Sequence, residues 1–236
     1  RPGRFDRTLT LHLPDINGRT SILKALFQRL PQRMLASDLS AESIARQTIG
    51  FSGADLAQVI NQAKLFAALD KTASKITMTH LNRAVKFVYL GPERKLAMKP
   101  SERENTAYHE AGHAVVALAT EGAMPVQSAT IVPHGSTLGN VMLRPDDDLI
   151  SQSKRQLQAA IDVMFGGFVG EELHTRDIDK VTLGAASDIF KANQLARDIV
   201  RGGFGKNTRF LQPAAGSASQ TILESIERDV QEILDA

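Results

Sequence analysis

The stretch of this chain best suited to chemistry is His109-Glu110-Ala111-Gly112-His113. Histidines four residues apart lie about one turn from each other on the same face of an α-helix, so both imidazoles can reach a single metal ion. A glutamate between them projects near that ion and can take a proton from a water polarised there. This is the HExxH arrangement of zinc hydrolases, and the spacing predicts His109 and His113 as ligands with Glu110 as the base.

The chemistry requires that the motif sit on a helix, and the flanking residues provide for one. Ser101 to Glu104 reads as a capping box that opens the helix, with Pro100 just before it. From Tyr108 to Ala119 there is no proline, and Ala111, Val115, Val116 and Ala119 form an apolar stripe. Gly112 costs about 1 kcal/mol in a helix interior, which predicts that another element packs closely against it.

A catalytic zinc takes three protein ligands and keeps one open position, so the motif leaves one ligand to find. With no cysteine in the chain, thiolates and disulfides are excluded and the remaining ligand must be His, Asp or Glu. Glu171, Glu172, Asp177, Asp179, Asp188 and Asp198 are the candidate carboxylates, and His134 and His174 the candidate histidines. Glu171 and Glu172 share a predicted helix with Gly166-Gly167, whose small size permits close approach to the metal helix. Asp188 lies in the first turn of the next helix, behind Gly184-Ala185-Ala186-Ser187. Spacing alone does not choose among them.

Around this site the chain reads as mostly α. The alternation of Thr8 to Leu13 predicts a short strand, and helices follow at about 18–30, 40–48, 53–70 and 79–90. Ser52 is expected to cap the third and Thr79 the fourth. Gly91-Pro92 breaks the pattern, placing a domain boundary at about residue 95. After the metal helix come two predicted strands, Ala129–Val132 and Leu138–Leu143, then helices at about 152–174, 186–201 and 218–235.

Composition narrows the function. The 28 basic and 26 acidic residues leave a net charge of +2 with no long basic block, so no nucleic-acid footprint is present. An aromatic content of 5% without tryptophan argues against a sugar-binding or base-stacking surface. No run approaches the 18 apolar residues of a membrane span. The chain opens abruptly at Arg1-Pro2-Gly3-Arg4 with no initiator methionine, and it reads as a piece of something longer.

Several further segments, taken together, carry a resemblance. They are Arg1 to Arg7 (RPGRFDR), Gly50 to Leu56 (GFSGADL), Gly91 to Lys95 (GPERK), the HEAGH motif, Ala129 to Gly135 (ATIVPHG), Gly166-Gly167 with Glu171-Glu172-Leu173, and Val181 to Asp188 (VTLGAASD). In this order they resemble the FtsH-type AAA proteases, which are membrane-anchored, ATP-dependent zinc metalloproteases. Asp162 to Gly167 (DVMFGG) leans toward the mitochondrial members that face the intermembrane space. The resemblance implies a mostly α fold in two parts. Residues 1–95 would be the end of an AAA ATPase module with its helical lid, and 96–236 a mainly helical zinc peptidase domain with a small β-sheet.

Carried over residue by residue, the resemblance implies His109, His113 and Asp188 as zinc ligands and Glu110 as general base, with the Glu171-Glu172 pair in support. It implies Arg1 and Arg4 as arginine fingers reaching the ATP of a neighbouring subunit, and Gly53-Ala54 as lid residues beside the nucleotide. Leu138, Gly139, Asn140 and Val141 would belong to a strand that pairs with an extended substrate backbone. The intact protein would use ATP and Mg²⁺, assemble as a homohexamer and degrade unfolded or membrane proteins. It would be anchored in the mitochondrial inner membrane, with a bacterial inner membrane or a thylakoid as alternatives.

Departures from the family pattern are also present. No GxxxxGK[ST] phosphate loop occurs, so this chain is not expected to hydrolyse ATP alone. Phe168, Gly170 and Leu183 stand where the family usually has arginine, alanine and threonine. Two rival readings follow: a non-catalytic assembly or scaffold subunit, and an adaptor whose zinc is structural, closed by a fourth ligand such as His134 or His174.

Overall fold

The computed structural model describes residues 10–73, 75–135, 137–145, 148, 151–209 and 219–236. It divides into two units, Arg1–Glu93 with Asp146–Asp148 and Arg94–Pro145 with Leu149–Ala236. Among the described residues there are eight α-helices and one two-stranded sheet. The mostly α reading with a small sheet is therefore what the molecule shows.

The first unit holds α1 (Ile16–Gln28), α2 (Ala41–Gln47), α3 (Gly53–Leu69) and α4 (Met78–Leu90). Each helix starts where a side chain satisfies an orphan backbone N–H. Asp15 accepts from Gly18 N at 2.8 Å and Ser40 from Ser43 N at 3.1 Å. Ser52 and Asp55 form the reciprocal box expected of them. The fourth helix is capped at Thr77 rather than Thr79, because His80 Nδ1 reaches back to accept from Thr77 N at 3.1 Å. Leu23, Ile44, Leu56, Val59 and Leu81 are fully buried between these helices.

One expectation fails here. The described part of the predicted first strand, Thr10–Leu13, is not a strand, and Leu11 and Leu13 stand 93% and 61% exposed. Alternation makes a strand only where a neighbour completes the ladder, and no described segment pairs with this one.

The second unit is built on two long helices, α5 (Pro100–Ala119) and α6 (Lys154–Thr175). The start of α5 lies earlier than the predicted box. Pro100 occupies the first turn, where its missing N–H costs nothing, and Glu102 accepts from Lys99 N at 3.0 Å. The helices cross at the small residues. A Cβ on Gly112 would overlap the Gly166 carbonyl, one on Gly166 would lie 2.7 Å from Gly112 O, and one on Gly170 would overlap Tyr108 O. The two backbones are thus in contact, which any side chain at the crossing would prevent.

Between α5 and α6 lies an antiparallel pair, β1 (Val126–Thr130) and β2 (Asn140–Leu143), with Thr130 opposite Asn140 and Val126 opposite Leu143. The first strand begins and ends earlier than the predicted 129–132, and the second begins at Asn140 rather than Leu138. α7 (Ala186–Ile199) and α8 (Gln220–Leu234) complete the unit. Ile161, Ala192, Ile199, Val230 and Ile233 pack between α6, α7 and α8.

Gly112→Ala should destabilise the second unit by about 1–3 kcal/mol despite the better helix propensity of alanine, a fall in unfolding midpoint of roughly 3–10 °C. Thermal unfolding followed by circular dichroism measures it, and an unchanged midpoint would contradict the backbone-contact crossing.

Candidate metal centre

α5 carries His109 and His113 on the face it turns toward α6, and α7 brings Asp188 in its first turn. The approach is close because α6 offers Gly167 there. A Cβ on Gly167 would lie 2.5 Å from His109 Cε1 and 2.6 Å from His113 Nε2. The two imidazoles are roughly perpendicular, with ring centroids 4.7 Å apart.

The outer face of each ring fixes its tautomer. His113 Nδ1 lies 2.6 Å from the Val163 carbonyl, which can only accept, so Nδ1 carries the proton. His109 Nδ1 donates to Glu171 Oε1 at 2.8 Å. Both Nε2 atoms of the neutral rings therefore present lone pairs. They face each other at 3.1 Å, and Asp188 Oδ2 lies 3.4 Å from each.

Three electron-pair donors converging in this way repel one another unless a cation lies among them. A tetrahedral zinc with bonds of about 2.0–2.1 Å places its ligand atoms about 3.3–3.4 Å apart, close to the spacing found. Two neutral imidazoles with one carboxylate also match the N and O donors zinc takes in catalytic sites. The residues present fit that ion.

Electrostatics agree. Burial pushes the Asp188 carboxyl up, but His109 and His113 in their protonated form, together with Lys191, outweigh it and hold the group well below the usual carboxylate range. Burial pulls His109 down, yet Asp188, Glu110 and Glu171 together draw it toward its protonated form. A cluster that draws a proton in this way also favours a metal cation. For Glu110 the balance runs the other way. Burial is the main cause of its raised proton affinity, Asp188 adds to it, and the two imidazoles oppose it.

Glu171 is 2% exposed and does not join the three donors; it stands behind His109. Its Oε2 accepts from Asn105 Nδ2 and from Thr182 N, each at 2.8 Å, while Oε1 accepts from His109 Nδ1. Burial would raise its pKa, but these bonds hold it below the usual range, so it stays ionised.

The other sequence candidates lie elsewhere. His174 stacks on Tyr108 with centroids 4.0 Å apart, and His134 is buried, bridging Thr137 through its backbone. Asp177 pairs with Lys180 and Asp198 with Arg201. Among the described residues, His109, His113 and Asp188 are the only group of three able to hold a metal, so no fourth ligand from His134 or His174 closes the site.

A cleft of about 550 Å³ opens beside the three donors. Leu138, Gly139, Asn140 and Val141 line one wall, with Val163 and Met164 also facing it. Gly139 packs so tightly on Glu110 that a Cβ would come within 2.6 Å of its Oε1. Gly53 and Ala54 form the first turn of α3 in the first unit, and Arg1 and Arg4 lie outside the described residues.

Sequence reasoning missed the supporting shell. The Val163 carbonyl leaves no trace in side-chain types, and the parts played by Asn105 and Thr182 depend on long-range packing. Gly167 was visible, as half of a Gly-Gly pair, but only as a site of close helix approach.

Glu171→Gln would turn one amide N–H toward a donor, either His109 Nδ1–H or Thr182 N–H. It should weaken zinc binding by about 10–100-fold, read by competition with a chelator. Unchanged affinity would mean that Glu171 does not orient His109.

Comparison with known proteins places the chain. Residues 96–236 match the model of peptidase family M41, and residues 38–83 match that of an AAA+ lid domain. The chain is 46% identical over 202 residues to the ATP-dependent zinc metalloprotease FtsH of Magnetococcus marinus, covering 85% of this chain and 29% of that protein. It is 45% identical over 201 residues to the ATP-dependent zinc metalloprotease FTSH 11, chloroplastic/mitochondrial, of Arabidopsis thaliana, covering 85% and 24%. To human ATP-dependent zinc metalloprotease YME1L1 it is 39% identical over 238 residues, covering 99% and 30%. The chain thus spans less than a third of the length of these curated relatives. With its HExxH helix and the carboxylate of α7 lying inside the matched region, the chain belongs to peptidase family M41.

Proposed function

We propose that this chain is the peptidase part, with the ATPase lid, of an ATP-dependent zinc metalloendopeptidase. The observation that carries this reading is the convergence of His109 Nε2, His113 Nε2 and Asp188 Oδ2 beside a buried Glu110. His109, His113 and Asp188 hold the metal, and Glu171 and the Val163 carbonyl fix the orientation of the rings. A zinc ion held there would supply a water acidified toward a pKa of about 7 and an electrophile for the peptide carbonyl. Glu110 takes the proton from the attacking water and returns it to the leaving amine. Its raised proton affinity suits that exchange better than an ordinary surface carboxylate would.

The substrate lies along the cleft. β2 pairs with β1 on one side, and among the described residues no strand covers its other side. Leu138, Gly139, Asn140 and Val141 offer backbone groups there to an extended peptide, which gives affinity with little dependence on sequence. Gly139 keeps that wall against the base. Such a mode suits a protease that degrades unfolded or membrane proteins delivered as extended chains.

The first unit serves the ATPase. Residues 1–95 are the end of an AAA module, in which Arg1 and Arg4 reach the nucleotide of a neighbouring subunit and Gly53 and Ala54 lie beside it. Residues 96–236 form the peptidase domain. The intact protein is a homohexamer that uses ATP and Mg²⁺ and is anchored in a membrane, that of mitochondria in the reading favoured by Asp162 to Gly167. No helix among the described residues is long and apolar enough to cross a membrane.

The chain should bind one zinc and hydrolyse casein in a chelator-sensitive manner. Glu110→Gln should keep the metal and lose about 10²–10⁴-fold in hydrolysis rate, measured with zinc content on the same sample. Substantial turnover by that variant would exclude Glu110 as the base. Zinc without any turnover in the parent would favour the scaffold reading.

A further inference from the structure

The carboxylate of Asp188 is divided between two tasks. Oδ2 lies 3.4 Å from both imidazole Nε2 atoms, whereas Oδ1 lies 3.1 Å from Lys191 Nζ. Lys191 stands one turn further along α7, and helical side chains lean toward the helix N-terminus, so its stem covers the first turn. The ammonium thus reaches the carboxylate oxygen that the two histidines do not share.

We propose that Lys191 is a positioning residue of the metal centre, holding Asp188 Oδ1 so that Oδ2 alone is offered to the cation. This rests on the reading of the site as a zinc centre. With it, each ligand has its own outer partner: Glu171 for His109, the Val163 carbonyl for His113 and Lys191 for Asp188. Partners of this kind fix which lone pair a ligand presents.

Charge balance supports the assignment. Asp188, Glu110 and Glu171 place three carboxylates around the site, and a divalent cation neutralises two of them. Lys191 neutralises the third, and it is the only lysine or arginine on the described cleft wall. Its position matters as well as its sign. An ammonium on Oδ1 blocks a bidentate grip by Asp188, which would take up the position a water needs.

The pair has little to do with stability of the fold. The Asp188 side chain is 17% exposed but that of Lys191 is 60% exposed, and an ion pair whose cation is so exposed contributes little to folding. The effect of Lys191 therefore falls on the metal, and that separates a positioning role from a structural one.

The test measures the zinc dissociation constant by competition with a coloured chelator. It compares the parent chain, Lys191→Met, Lys191→Arg and, as a remote control, Lys206→Met. Unfolding midpoints of the metal-free proteins are measured alongside. Lys191→Met should weaken zinc binding by about 10–100-fold, Lys191→Arg should restore most of it, and the control should match the parent. Metal-free midpoints should be the same in all four. Parent-like affinity in Lys191→Met, with one zinc bound by the parent, would overturn the role of Lys191 and leave the metal centre standing. An equal loss in Lys191→Arg would overturn it too, since packing rather than charge would then be at work. A parent that binds no zinc would overturn both.

Discussion

Three lone pairs facing one another across little more than 3 Å form the constraint on which the rest of the second unit depends. Each is held in place from behind. The Val163 carbonyl and the Glu171 carboxylate accept hydrogen bonds from Nδ1–H, and this leaves the Nε2 atoms no choice of tautomer. Such an arrangement is costly without a counter-charge, because desolvated acceptors repel strongly in a low-dielectric site. A cation turns the same repulsion into binding energy. The buried Glu171 and the depressed proton affinity of Asp188 are two expressions of one fact: the site is built for positive charge.

Backbone contact between α5 and α6 makes the constraint possible. If Gly112, Gly166 and Gly170 carried side chains, the helices would separate and Glu171 would withdraw from His109. Gly167 plays a different part, because it leaves room for the two imidazoles themselves. Glycine weakens an isolated helix, so a helix that carries three of them in five residues must be stabilised by what it packs against. Here that partner is the metal helix, and the position of Gly170 against the Tyr108 carbonyl accounts for a small residue at that point.

Much of this was legible in the sequence because it is local. The HExxH spacing, the box at Ser52 and Asp55, and the helical periodicities depend on residues within a turn or two. The start of α5 was misplaced by two residues because Lys99-Pro100-Ser101-Glu102 offers a second box overlapping the one at Ser101 and Glu104. Both predicted strands of the small sheet had shifted ends, since register is settled between strands rather than within them. Thr10 to Leu13, the described part of the strand expected at Thr8 to Leu13, shows that alternation without a ladder partner is not enough. The third acceptor was the least legible part. Glu171 and Asp188 were both open from spacing, and only the folded helices show one carboxylate among the imidazoles and the other behind them.

A crystal of the zinc-loaded chain measured at the zinc absorption edge tests the central claim most directly. The account predicts one anomalous peak about 2.0–2.2 Å from His109 Nε2, His113 Nε2 and Asp188 Oδ2, with Glu171 turned away from it. A zinc found bound elsewhere, or held by Glu171 in place of Asp188, would contradict it.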